Sequence, residues 1–251
     1  MESDPSLRRK WELIGKTHGI DSFFHLAWNV NSISWRETPS QKELIKNTEI
    51  FLQTVKSFEY ILSTGSCQEY LPKPNKLKED SDLAFDCDYV IDKHAMHNLL
   101  KEYSNNTGTG FSWVRLFNIY GKGDHPNRIV SLLLNAAKNG LEFQLTKPNH
   151  ALDLLHVEDT VNGLLKIGME RCRGTYNLGS GISVQPSSIR HFINLAKHPN
   201  FEIPASNALE DSFDLAHIAD ISNLRSLGWK PQHTLAEDLL FMLRDSGVSV
   251  E

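Results

Sequence analysis

Tyr60-Ile61-Leu62-Ser63-Thr64-Gly65-Ser66 is a short apolar run closed by a glycine and a hydroxyl, and the rest of the chain can be parsed outward from it. A run of that length, bounded by small polar residues, reads as a buried strand. Downstream, Tyr89 and Lys93 stand four residues apart on a helix expected over Tyr89 to Tyr103. That spacing stacks both side chains on one helix face, where the ammonium favours the phenolate and draws the tyrosine pKa down from about 10. Ser66, Tyr89 and Lys93 then make a proton-transfer site. A tyrosine and a lysine on a solvated helix face are the other reading of the same spacing.

On either side, Phe23 to Ala27 and Ser112 to Phe117 read as two further buried strands. Between the first two strands, Pro39 to Lys56 carries Leu44, Ile45, Ile50, Phe51, Leu52 and Val55 at helical spacing. Strands alternating with helices of crossover length predict an α/β chain with a parallel sheet and helices on both faces. The polar, proline-punctuated stretch Pro72 to Asp80 is expected as a loop over the carboxyl ends of the strands, either a lid or a solvated connection. After Gly121 the pattern changes to a helix over Ile129 to Asn139, short strand-like pieces near Phe143 and Leu154, a helix after Asp159 and a last helix over Leu235 to Arg244.

Composition narrows the function. The chain has 251 residues, 40% hydrophobic and 23% charged, enough to bury a sizeable core in one or two lobes. A net charge of -5 and a pI near 6.1, with no basic stripe, argue against nucleic acid as a partner. Cys67, Cys87 and Cys172 are odd in number and form no Cys-x-x-Cys, so neither a disulfide framework nor a zinc knuckle is indicated, and a cytoplasmic location is expected. No apolar run approaches the roughly 18 residues of a membrane span, and the polar, acidic start Met1 to Pro5 is unlike a secretory leader. His156-Val157-Glu158-Asp159 offers too few ligands at suitable spacing for a metal, so none is expected, and Asp159 reads as the N-cap of the helix that follows.

Seven segments carry a family likeness in order: His25-Leu26-Ala27-Trp28; Gly65-Ser66-Cys67-Gln68-Glu69-Tyr70; Tyr89-x-x-x-Lys93; Arg115 to Gly121; Asp153 to Asp159; Tyr176-Asn177-Leu178-Gly179; and Leu227-Gly228-Trp229-Lys230-Pro231. Together they resemble the extended short-chain dehydrogenase/reductase family, the NAD-dependent epimerase/dehydratase group that acts on nucleotide sugars. The resemblance implies a Rossmann-like lobe over residues 1–120 and about 151–178, and a smaller substrate-binding lobe over 121–150 and 179–251. It implies that Tyr89 is the acid/base, that Lys93 holds the nicotinamide ribose and lowers the tyrosine pKa, and that Ser66 hydrogen-bonds the reacting oxygen. Such a trio suits hydride transfer at a sugar carbon, which creates or consumes an alkoxide. By the same likeness His25, Leu26, Ala27, Trp28 and Phe117 line the cofactor, NAD or NADP. Asn118 approaches the nucleotide phosphates, and Asn47 connects the lysine to solvent. Asn118 as a strand terminator and Asn47 as an exposed helix residue are the alternatives. Relatives dimerise through the helices that here bear Asn47 and Tyr89, so a homodimer is expected.

The departures shape the expected activity. The family opens with a strand, a glycine-rich turn and a helix that cradle the cofactor pyrophosphate. Here the Gly-x-Gly pairs 108/110, 121/123 and 179/181 meet Trp113, Pro126 and Val184 where the third glycine belongs. About two βα units, roughly 60 residues, are therefore expected to be missing, leaving the Rossmann-like sheet N-terminally incomplete and cofactor binding in doubt. Leu152 replaces an arginine that grips the diphosphate in many relatives, with Arg128 or Lys122 as substitutes. Cys67-Gln68 replaces the Asp-Glu pair of the 4,6-dehydratases, which disfavours dehydration. The resemblance then implies a nucleotide-sugar 4-ketoreductase of deoxysugar biosynthesis, with a 4-epimerase, a noncatalytic binding relative and a truncated product as the alternatives.

Overall fold

The computed structural model describes residues 20–30, 35–55, 58–197 and 209–246, together with residues 9 and 13. Its strands are β1 (Ser22–His25), β2 (Tyr60–Ser66), β3 (Gly110–Leu116), β4 (Asn118–Tyr120), β5 (Leu152–His156), β6 (Gly174–Leu178) and β7 (Ser183–Val184). Its helices are α1 (Lys42–Val55), α2 (Asp88–Thr107), α3 (Ile129–Asn139), α4 (Val157–Met169), α5 (Pro186–Leu195), α6 (Ser222–Ser226) and α7 (Leu235–Asp245). Expected residues Met1 to Pro5 and Lys56 lie outside the described part. The chain divides into two compact units: 1–69, 83–115 and 164–176 form the first, and 70–82, 116–163 and 177–251 the second.

In the first unit a four-stranded sheet has the order β1-β2-β3-β6, and β1 pairs parallel to β2 with His25 beside Ser63. Every residue of β2 is buried, as a parallel strand covered on both faces requires. Leu52 and Val55 from α1, Met96 and Leu100 from α2, and Ile61, Phe111 and Trp113 from the sheet form one core. Each such side chain contributes about 1.5–3 kcal/mol by leaving water. Asp92 on α2 accepts from the Gln41 backbone N–H at 2.6 Å and the Ser40 hydroxyl at 3.1 Å, which fixes the start of α1 against α2. Gly108, with a positive φ of 77°, ends α2 and turns the chain into β3.

In the second unit β4 pairs parallel to β5, and β5 pairs antiparallel to β7. Thus β5, expected in the Rossmann-like lobe, is held in the second unit by its two neighbours. Its apolar residues pack with α3, α5 and α7 around Leu133, Leu154, Ile189, Phe192 and Leu239.

Two expectations are corrected and one pair of alternatives is narrowed. No strand forms near Phe143, because Phe143 and Leu145 meet the core of the second unit from an irregular segment instead. Of the two readings of Pro72 to Asp80, the solvated connection fits: most of its residues are exposed, and it is tethered where Lys73 and Ala216 exchange backbone hydrogen bonds at 3.2 Å and where the fully buried Leu77 donates its N–H to Ile218 at 2.7 Å. The Asn177 side chain pins the same stretch, receiving the Tyr70 hydroxyl at 2.8 Å and donating to the Leu77 carbonyl at 2.7 Å. Asp159 does not cap α4, which begins two residues earlier; its buried carboxylate accepts the backbone N–H groups of Gln232 and His233.

Candidate active site

β2 ends at Ser66, and a short 3-10 turn over Cys67–Glu69 carries the chain off the sheet. That turn folds Glu69 back under the strand end, where Oε1 accepts the Ser66 backbone N–H at 2.7 Å. Its other oxygen accepts the Trp113 indole N–H at 3.0 Å and Arg115 Nε at 2.8 Å, so a fully buried carboxylate is neutralised by a buried guanidinium. The Ser66 hydroxyl oxygen accepts the Gln68 N–H at 3.2 Å, which holds the side chain in one rotamer. Gly65 has no room for a side chain, since a Cβ there would lie 2.3 Å from Glu69 Oε1 and 2.4 Å from the Trp113 nitrogen.

Tyr89 sits in the first turn of α2, with its ring edge-on to Trp28 at 6.2 Å and to Trp35 at 5.4 Å between centroids. The Ser66 side chain is close enough to the phenol to favour its ionised form. One turn on, Lys93 is buried; Nζ donates to the Thr64 carbonyl at 2.8 Å and lies 3.8 Å above the Trp28 ring. The strand end and the helix face therefore bring Ser66, Tyr89 and Lys93 into one cluster.

The electrostatics differ from expectation. Burial pushes the Tyr89 phenol up to about 12, opposed by the nearby Ser66 side chain, while burial lowers the Lys93 ammonium to about 8, opposed by the Glu69 charge. The lysine does not draw the tyrosine down, because its ammonium is 6.0 Å from the Tyr89 ring centroid and its hydrogen bond goes to the sheet. Desolvation outweighs the through-space attraction, and Tyr89 is a protonated donor at neutral pH.

The remaining expected residues are spread over both units. In the first, His25 is buried, with its ring 3.1 Å from the Thr48 hydroxyl and its carbonyl accepting from Ser63 at 3.2 Å. Leu26 and Ala27 are exposed, and Asn47 is half-buried on α1, where the contact to His25 is made by its neighbour Thr48. The Trp28 indole N–H is buried without a hydrogen-bond partner among the described residues. In the second unit, Phe117 is buried, Asn118 donates to the Asp153 carbonyl at 3.2 Å, and Arg128 is an exposed residue just before α3, 3.7 Å from Asp124.

Glu69, Arg115 and Trp35 escape a reading by local spacing because their partners are remote in sequence. The one signal they give is a glutamate directly after a buried strand and an arginine inside another, since a buried charge needs a partner.

The known proteins that this chain resembles agree with the fold. It is 25% identical over 160 residues to the CDP-abequose synthase of Salmonella muenchen, covering 62% of this chain and 55% of that protein. It is 29% identical over 157 residues to the dTDP-L-rhamnose 4-epimerase of Burkholderia thailandensis, covering 59% of this chain and 42% of that one. The chain spans about half the length of the curated relatives it matches. The UDP-glucose 4-epimerase of Thermus thermophilus, solved in complex with NAD, superposes with a TM-score of 0.77 at 15% identity over 97% of this chain and 83% of that one. No helix among the described residues is long and apolar enough to cross a membrane. The sequence profile of the NAD dependent epimerase/dehydratase family matches residues 2–179, and the chain belongs to that family.

Proposed function

We propose that this chain is a NAD(P)-dependent oxidoreductase of nucleotide-linked sugars, acting as a 4-ketoreductase through Tyr89, Ser66 and Lys93. The observation that carries the reading is the buried cluster itself: Ser66 at the end of β2, the Tyr89 phenol beside it and Lys93 one helical turn on. Of the three side chains, the phenol is the one that can give a proton to a keto oxygen, and a bound substrate and cofactor must offset the burial that now makes it a weak acid. The site accepts the family's cofactor on one count: the Trp28 indole N–H is an orphaned buried donor beside Lys93, as a missing polar partner would leave it.

When bound, the reduced nicotinamide supplies the hydride that the keto carbon receives. Tyr89 Oη gives its proton to the oxygen of that carbon, and Ser66 Oγ orients the same oxygen. Lys93, charged below about pH 8, restores a proton to the tyrosine and offers its ammonium to the cofactor ribose. Glu69 takes no part in proton transfer and fixes the backbone of Ser66. Asn118 and Arg128 are proposed to face the nucleotide phosphates, and a homodimer through α1 and α2 belongs to the same reading. The likeness to a 4-epimerase favours a second reading, in which the same trio returns the hydride to the opposite face of the sugar.

The test is a titration of the purified chain with NADH and NADPH by nicotinamide fluorescence, followed by turnover with nucleotide-linked 4-keto sugars. Saturable micromolar binding and net oxidation of the cofactor are expected; interconversion of 4-epimers without net oxidation would select the epimerase. Tyr89→Phe should lower turnover by about 10²–10⁴-fold with the far-ultraviolet dichroism unchanged. Undiminished turnover in that variant would overturn the assignment, as would absence of cofactor binding at millimolar concentration.

A further inference from the structure

His156, read along the sequence, lacks a third partner at a metal-ligand spacing; the fold supplies two from the C-terminal segment. His156 ends β5, His233 precedes α7 and Asp238 lies in the first turn of that helix. One ligand atom from each, two imidazole nitrogens and a carboxylate oxygen, all fall within 4.8 Å of one another. The imidazoles are stacked with centroids 3.9 Å apart, and His233 Nδ1 is 3.0 Å from Asp238 Oδ1.

Asp238 and His233 are held from behind. The Tyr120 hydroxyl donates to the other Asp238 oxygen at 2.6 Å, and the His233 backbone N–H donates to the buried Asp159 carboxylate at 2.9 Å. The Glu158 backbone N–H approaches His156 Nδ1 at 3.3 Å, and the Glu158 carboxylate lies 3.3 Å from His233 Nε2. A cavity of about 60 Å³ opens on both rings, walled by Leu154, Ile182 and Leu235. Outer hydrogen bonds that orient a ligand carboxylate are what a metal centre needs and an exposed ion pair does not.

We propose that His156, His233 and Asp238 bind one divalent transition-metal ion, with Zn²⁺ as the fitting case. Two imidazoles and one carboxylate are the ligand chemistry of zinc rather than of magnesium or calcium, and three protein ligands leave a position open for water. The ion ties the end of β5 to the start of α7 and stabilises the second unit by binding only the folded form. Tyr120 is a positioning residue that aims the carboxylate.

The experiment is a Zn²⁺ titration of the metal-free full chain against a chromophoric chelator, with thermal unfolding and Co²⁺ absorption as further readouts. One Zn²⁺ per chain is expected, together with a higher unfolding temperature and visible Co²⁺ bands of a low-coordinate site. His156→Gln, His233→Gln and Asp238→Asn should each weaken Zn²⁺ at least tenfold. Tyr120→Phe should weaken it by about 10–100-fold while keeping the Co²⁺ spectrum. His191→Ala, at an exposed histidine on α5, should change nothing. No binding below millimolar, or binding that survives His233→Gln in a chain whose dichroism is native, would overturn the proposal. If His233→Gln fails to fold, Tyr120→Phe decides alone: unchanged affinity overturns it.

Discussion

Each unit holds a buried carboxylate set against a glycine, Glu69 in the first and Asp153 in the second, and the two are accommodated by opposite means. Glu69 in the first unit is neutralised by Arg115 from β3, with the Trp113 indole and the Ser66 amide completing its shell. Asp153 in the second is met by dipoles: the backbone N–H groups of Ser180, Gly181 and Ala219 at 2.7, 3.0 and 2.9 Å, and the Ser180 hydroxyl at 2.7 Å. In both places the neighbouring glycine leaves the space the carboxylate needs, a Cβ on Gly179 falling 2.7 Å from Asp153 Oδ2. Burial raises the Asp153 pKa and the three amides pull it back. The first arrangement is a charge pair that also positions the serine of the candidate site. The second joins β5, the loop after β6 and the segment before α6.

The largest expected effect tests the charge pair. Glu69→Ala leaves the Arg115 guanidinium buried without its carboxylate, and should destabilise by about 3–5 kcal/mol. Urea unfolding measures it, and hydrogen exchange should place the loss in β2 and β3. A change below about 1 kcal/mol would mean that the guanidinium finds another partner and that the pair holds nothing together.

Asp153→Ala should cost less, about 1–3 kcal/mol. It strands backbone donors rather than a charge, and it also removes a carboxylate whose own burial is unfavourable, as its raised pKa records. Protection should fall in β5 and at Ala219 while β2 and β3 are unaffected. If Asp153→Ala proved as damaging as Glu69→Ala, dipoles and a guanidinium would be equivalent here and the contrast would disappear.

These carboxylates also mark where sequence reading stops. The strands at Phe23, Tyr60 and Ser112 and the helices around Tyr89, Ile129 and Leu235 are legible because apolar periodicity is a local property. Ser66, Tyr89 and Lys93 are legible because a strand end and one helical turn bring them together. The direction of the Tyr89 shift was not legible: spacing reports the lysine but not the burial that outweighs it. Nor was the role of Asp159, whose partners at Gln232 and His233 lie more than seventy residues away. The strand expected at Phe143 fails for a related reason, since an apolar side chain on an irregular segment can fill a core without joining a sheet.

A further expected effect separates the units by pH. His97 lies on α2 against Trp113, with ring centroids 5.1 Å apart, and burial lowers its pKa to about 4. Glu69 opposes that shift, while Arg115, Lys101 and His94 add to it. Its folded pKa is below the unfolded value of about 6.5, so the unfolded chain binds more protons between these limits. Stability of the first unit is therefore lost as pH falls from about 6.5 to about 4. Asp153 has the reverse sign: its folded pKa is raised, so acidification below its folded pKa relieves the cost of a buried charge. Hydrogen exchange followed from pH 6.5 downward should thus show β2 and β3 losing protection before β5. His97→Phe, which keeps an aromatic ring against Trp113 and cannot be protonated, should remove that order. If the variant preserved it, the acid sensitivity of the first unit would belong to another group, with the Glu69 and Arg115 pair the first to examine.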